Sequence, residues 1–290
     1  MLMKSRCALV LSALLLSTGL AAAPLSALAQ EASSWRTVPV ERLLVVETSK
    51  GRVLVELFPD VAPAHVERVT TLAGQGFYDG HTFHRVIEGF MAQTGDPQGT
   101  GGGGSELADI SAELNFRRGR DSGFVLVEGS GPGLRGIMRG LSIVTQPDSQ
   151  MMVTADFKVG AQGVFCPGVV GMARAGSLDS ANSQFFFMTG REDDLNGLYT
   201  PFGRIVDGLD VVKALKAGPE SDNGRVGADP DTLVRVRLAT ALPEGQRPTV
   251  QVLRDGSPEA AELVAEARAA RGANFNICDV QLPSRVQDAS

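Results

Sequence analysis

The run Phe83-His84-Arg85-Val86-Ile87-Glu88-Gly89-Phe90-Met91-Ala92-Gln93-Thr94-Gly95-Asp96-Pro97 is rich in strand formers and spaces an arginine, a methionine and a glutamine two or more residues apart. Successive side chains of a strand point to opposite faces, so Arg85, Met91 and Gln93 share one face. Phe90 faces the other way unless the chain bends near Gly89. A cation set among apolar groups on one surface suits recognition of an amide. The same pattern also suits a core strand with an arginine snorkelling from its end.

Flanking segments extend the pattern. Leu43–Thr48 and Arg52–Phe58 read as strands joined by the turn Ser49-Lys50-Gly51. Pro63–Ala73 reads as a helix, with Val66, Val69 and Ala73 at helical spacing and Gly74 and Gly76 to stop it. Ser183–Met188 and Phe202–Val206 read as buried strands, and Leu233–Leu238 as a strictly alternating one. Asp207 is the expected N-cap of a helix running to Lys216. Strands with hairpins and two short helices indicate a closed or sandwich-like antiparallel sheet.

Together with Gly99-Thr100-Gly101-Gly102-Gly103, Met172-Ala173-Arg174-Ala175-Gly176, Asn182-Ser183-Gln184-Phe185-Phe186, Leu195-Asn196-Gly197 and Phe202–Gly208, the opening run closely resembles the signature of cyclophilin-type peptidyl-prolyl isomerases. The resemblance covers about residues 43–116 and 168–240. It implies a mainly β fold: a closed eight-stranded antiparallel barrel capped by two α-helices. It also implies rotation about X–Pro bonds, with Arg85 as the catalytic group. Phe90, Met91, Phe186 and Leu195 would wall a proline pocket, Gln93 and Gln184 would hold the substrate backbone, and Ala173 and Arg174 would line the groove. No cofactor is implied. The partners implied are proline-containing polypeptides and, by the same likeness, cyclosporin-like ligands.

This chain departs from the family pattern at three places. Asp194 stands where a Trp is frequent, Tyr199 where a His is frequent, and Arg174 where an Asn is frequent. Tyr199 keeps an aromatic wall and a donor. Asp194 removes apolar surface and is expected to shift substrate preference.

Residues 1–29 have the layout of a secretory signal: Lys4 and Arg6, an apolar run from Cys7 to Leu20, then small residues ending Ala27-Leu28-Ala29. Cleavage after Ala29 would remove two bases and no acid, taking the net charge from −6 to −8. A periplasmic or secreted protein is expected. The apolar run is too short to span a bilayer core of ~30 Å. With 33 acidic against 27 basic residues and no basic run, nucleic acid is a poor partner.

The expected organisation is a signal over 1–29, a polar leader over 30–42, the cyclophilin-like domain over 43–240 and a C-terminal extension over 241–290. Within the domain, residues 117–167 form an insertion, part of a stretch over 117–171 with no sustained period. The extension contains one helix, with Ser257 as N-cap, Pro258 at its first position and Gly272 as its stop. Cys166 lies near the end of the insertion and Cys278 in the extension; an oxidising compartment favours a bond between them that clamps the tail helix onto the insertion. No CxxC pair or Cys/His cluster argues for zinc, and His81 and His84 would face opposite sides of a strand. Gly99–Gly104 matches G-x-G-x-x-G, but Asp96-Pro97-Gln98 before it is turn-like rather than a strand. The expected function is therefore prolyl isomerisation in exported polypeptides, assisting their folding. The alternative is a non-catalytic chaperone or binding module built on the same pocket. A different export-pathway enzyme has no nucleophile motif to support it.

Overall fold

The structure, a computed structural model, describes residues 34–129 and 133–288. The segment read as a secretory signal lies outside them. In chain order the strands are β1 (Trp35–Thr37), β2 (Leu43–Thr48), β3 (Gly51–Leu57), β4 (Arg85–Ile87), β5 (Met91–Thr94), β6 (Phe116–Arg118), β7 (Val125–Glu128) and β8 (Leu134–Met138). They continue with β9 (Leu141–Thr145), β10 (Val159–Gly163), β11 (Val169–Met172), β12 (Phe185–Met188), β13 (Thr200–Asp207), β14 (Leu233–Leu238), β15 (Thr249–Leu253) and β16 (Ser284–Gln287). The helices are α1 (Pro63–Gly74), α2 (Leu209–Lys213) and α3 (Pro258–Arg271).

Eight strands form one antiparallel sheet in the order β14-β2-β3-β13-β11-β12-β5-β4. The expected closed barrel is not formed: β14 and β4 are edges of an open half-barrel. Among the described residues, the gap is crossed only by isolated bridges, Thr82↔Thr232 and Arg85↔Arg225, and single backbone bonds such as Phe83 N to Asp231 O. The physical reason lies in residues 219–232. Asn223 and Asp229 take positive φ there, which breaks the extended geometry a continuous ladder needs.

Inside the curve, Leu44, Val46, Val53, Val55, Phe185, Phe187 and Phe202 pack against Val66, Val69 and Leu72 of α1 and Val212 of α2. Helix α1 begins with Pro63 and has no local side-chain cap. Its free first-turn amides at Ala64 and His65 donate instead to the Glu113 carboxylate, at 3.2 and 3.1 Å. The other predicted helix is shorter than expected. Asp207 completes β13, Gly208 becomes the N-cap, and the helix stops at Lys213.

The insertion is itself a sheet, ordered β6-β10-β9-β8-β7. Its inward residues Ile137, Met138, Leu141 and Ile143 share a second core with Met91, Phe186 and the tail residues Ile277 and Val280. The β8–β9 hairpin turns at Arg139-Gly140, and the Arg139 φ of 52° is the kind of backbone such tight turns require. The extension is more than helical. β1, read as polar leader, pairs with β15, and β15 pairs with β16, making a three-stranded sheet. Arg36 on β1 joins the sheets by donating to Glu56 at 2.6 and 2.8 Å and to the Arg139 carbonyl at 2.9 Å. Helix α3 starts where expected, with Ser257 Oγ accepting from the Ala260 amide at 3.1 Å. Cys166 and Cys278 are joined by a disulfide, with their Cα atoms 5.1 Å apart.

Candidate active site

The run 83–97 is a hairpin rather than one strand. β4 and β5 pair Arg85 with Gln93 and Ile87 with Met91, and Glu88-Gly89-Phe90 makes the turn. Directly opposed residues of a hairpin share a face, so Arg85, Met91 and Gln93 stay together for a different reason than strand parity alone. Gly89, with φ of 70°, supplies the bend that brings Phe90 onto the same side.

Nine of the ten residues expected at the site line one pocket of about 120 Å³. Arg85, Phe90, Met91 and Gln93 come from the hairpin, Ala173 and Arg174 from the chain just after β11, and Phe186 from β12. Leu195 comes from a 3₁₀ turn and Tyr199 from the bend just before β13. The tenth, Gln184, lies just outside, in an adjoining hollow of about 360 Å³ that it shares with Gln93 and the glycine loop 101–104. Asp194 is exposed beside Leu195 and does not line the pocket, so the apolar wall a Trp would supply is missing.

One hydrogen-bond chain orders the polar side of the pocket. Gln184 Nε2 donates to the carbonyls of Gly101 and Gly103 at 3.1 and 2.7 Å, which turns its Oε1 toward Gln93 Nε2 at 2.9 Å. Gln93 Oε1 then accepts from Arg85 Nη1 at 3.2 Å. On its other edge Arg85 donates from Nε to the Asn223 carbonyl and from Nη2 to Asn223 Oδ1, both at 3.0 Å. Three of the five guanidinium hydrogens are thus tied to oxygen, Nη1 also donates to Met91 Sδ at 3.9 Å, and one hydrogen on Nη2 is left for a ligand. Burial pulls the Arg85 pKa down and Tyr199 pushes it back up. The group remains a cation at any physiological pH.

The loop under Gln184 is held by Asp96. Burial opposes ionisation of this carboxylate, but the amides of Gln98, Gly103, Gly101 and Thr100 outweigh it and hold the pKa at about 2. The glycine run is therefore a carboxylate-pinned turn, not a phosphate cradle ahead of a helix. On the apolar side, Phe186 meets Tyr199 edge-on at 5.8 Å, and the Arg174 guanidinium lies 4.4 Å over the Tyr199 ring. His84 is buried beside the site. Among the described residues no cluster of three His, Cys, Asp or Glu could hold a metal, and no helix is long and apolar enough to cross a membrane.

Asn223 was not legible as a site residue. Its sequence signal, Asn-Gly at 223–224, marks a turn and says nothing of Arg85, 138 residues away.

Residues 43–238 match the family model described as "Cyclophilin type peptidyl-prolyl cis-trans isomerase/CLD". The chain belongs to the cyclophilin-type peptidyl-prolyl cis-trans isomerases. This cyclophilin is 36% identical over 198 residues to a probable peptidyl-prolyl cis-trans isomerase of Brucella suis, covering 68% of this chain and 83% of that one. It is 31% identical over 185 residues to the peptidyl-prolyl cis-trans isomerase-like 1 of Rhizopus delemar, covering 63% and 85%. Among solved structures, the cyclophilin AquaCyp293 from Hirschia baltica superposes with a TM-score of 0.80 at 32% identity, covering 90% of this chain and 97% of that one. That likeness reaches beyond the family region into the added segments.

Proposed function

We propose that this cyclophilin isomerises X–Pro bonds in exported polypeptides, in the periplasm or outside the cell, and so assists their folding. The observation that carries the reading is the Arg85 fork, fixed on one edge by Asn223 and at Nη1 by Gln93, beside an apolar pocket of proline size.

The chemistry needs no bond cleavage. Amide resonance sets a barrier of ~18–20 kcal/mol to C–N rotation. In the twisted amide the prolyl nitrogen regains its lone pair and becomes a better acceptor. A guanidinium that donates to it lowers the twisted state more than either planar one. Phe90, Met91, Phe186, Leu195 and Tyr199 hold the ring, while Gln93, Gln184 and the 173–174 main chain hold the flanking peptide, so that only one side of the bond turns. The same walls are those a cyclosporin-like ligand would contact. Export is supported by the signal-like first 29 residues and by a disulfide, which persists in oxidising compartments.

The test is refolding of a secreted protein whose slow phase is a prolyl isomerisation. Catalytic amounts of the mature chain should speed that phase, and Arg85→Ala should not. A wild type that binds the unfolded chain without speeding it would move the reading to a non-catalytic chaperone. The amino-terminal sequence of protein recovered from the source cell tests export: a start at Gln30 supports it, a start at Met1 contradicts it.

A further inference from the structure

We propose that Phe165, the last aromatic residue of the insertion, is a positioning residue for the proline pocket, held in place by the Cys166–Cys278 disulfide. The inference rests on the pocket assignment above and adds to it a part of the molecule outside the shared family motifs.

Phe165 is fully buried and acts on two walls of the pocket at once. Its ring stacks on Phe186, centroids 5.8 Å apart and planes inclined by 28°. Gly171 makes that approach possible, since a Cβ there would lie 2.5 Å from Phe186 and 2.6 Å from Phe165. Phe186 is in turn the edge partner of Tyr199. The main chain of Phe165 grips the opposite wall. Its amide donates to Asn196 Oδ1 at 2.8 Å, and its carbonyl accepts from the Glu192 amide at 3.0 Å. Those two contacts bracket the turn that presents Leu195.

Phe165 sits between β10 and β11, outside any ladder, so no sheet pairing fixes it, and its two main-chain bonds reach only the turn it braces. The neighbouring residue fixes it. Cys166 is bonded across 112 residues to Cys278, whose flank is anchored separately: Asn276 and Asp279 form a capping box, and the Ile277 amide donates to Glu128 Oε1 of β7 at 3.2 Å. Ile277, Cys278 and Val280 lie in the same buried cluster as Phe165, Phe186 and Met91. Insertion and extension thus meet behind the pocket and brace it.

A brace acts on substrate binding rather than on the twisted amide, so its loss raises KM and spares kcat. The test uses the full mature chain with Phe165→Leu and, remote from the pocket, Cys278→Ala. Amide hydrogen exchange at Leu195, Asn196 and Tyr199 should quicken about tenfold in both variants while β2 and β3 keep wild-type protection. For an X–Pro peptide, KM should rise about threefold or more with kcat held within about twofold. Unchanged exchange in the turn of a folded variant overturns the proposal, and so does quickening spread equally over β2 and β3. If neither variant folds, the same exchange is read on folded wild type before and after dithiothreitol. That dithiol reduces the bond to two thiols and becomes a cyclic disulfide, and the same two outcomes decide. A wild type without isomerase activity would refute the function proposed above and leave the exchange result to judge the brace.

Discussion

Asn223 holds Arg85 through two oxygens, and removing one of them measures how far catalysis depends on the orientation of the fork. Asn223→Gly deletes Oδ1, 3.0 Å from Nη2, and keeps the carbonyl that accepts from Nε. Glycine is the right replacement because Asn223 has φ of 51° and ψ of 36°, where alanine would add ~1–2 kcal/mol of strain unrelated to the site. A hydrogen bond to a charged group contributes ~1.5–3 kcal/mol. Arg85 is partly exposed and water replaces some of what is lost, so the lower end applies. That corresponds to about a tenfold fall in kcat/KM. The loss should fall on kcat, since in the proposed mechanism Arg85 acts on the twisted amide, while KM moves less than about twofold. Asn223→Asp retains an acceptor at the same place and should restore most of the rate. Peptide isomerisation measured over a range of substrate concentrations separates the two constants. A folded Asn223→Gly protein with wild-type kcat would refute the argument that this contact aims the guanidinium.

Stability should fall on acidification in two stages. Burial lowers the pKa of His65, His81 and His84, so below about pH 6.5 the unfolded chain binds protons that the folded one refuses. Thermal unfolding should therefore show a lower midpoint at pH 5.5 than at pH 7.5, and equal midpoints would contradict the burial argument. Asp96 extends the decline: with its pKa at about 2, its contribution is complete above about pH 4 and is lost as pH falls through 2. Phe186→Ala removes a side chain only 4% exposed that joins the pocket to the insertion core, and should cost ~3–5 kcal/mol in denaturant unfolding. A cost below about 1 kcal/mol would mean the rings behind the pocket are not packed as described. Ser257→Ala removes the α3 cap and should cost ~1 kcal/mol; no change would show that tertiary packing alone sets the helix start.

Most of the eight-stranded sheet was readable because its strands carry their own signals. Leu43–Thr48 and Leu233–Leu238 lie where alternation and β-branched residues place them, and α3 begins at Ser257-Pro258, as capping chemistry requires. What failed was decided by distant partners. The insertion gave no periodic pattern because its strands are three to five residues long and one face borrows its core from Met91, Phe186 and the tail. Trp35–Thr37 looked like polar leader because its pairing partner, Thr249–Leu253, lies more than 200 residues on. Closure of the barrel depends on irregular chain at 219–232, where turn residues are visible but their neighbours are not. The site divides the same way. Motif residues came from short, ordered segments, whereas Asn223 and Phe165 matter only through contacts that no local pattern encodes.

The central claim is that Arg85, presented to the proline pocket, drives rotation of the prolyl bond. Exchange NMR of a short X–Pro peptide with substoichiometric protein reads that rotation without a coupling enzyme. Uncatalysed exchange takes tens to hundreds of seconds. Wild-type protein should bring it into the subsecond range of exchange spectroscopy, and Arg85→Ala, folded and still binding the peptide, should return it close to the uncatalysed rate. Equal acceleration by both proteins, or none by a folded wild type, would contradict the account.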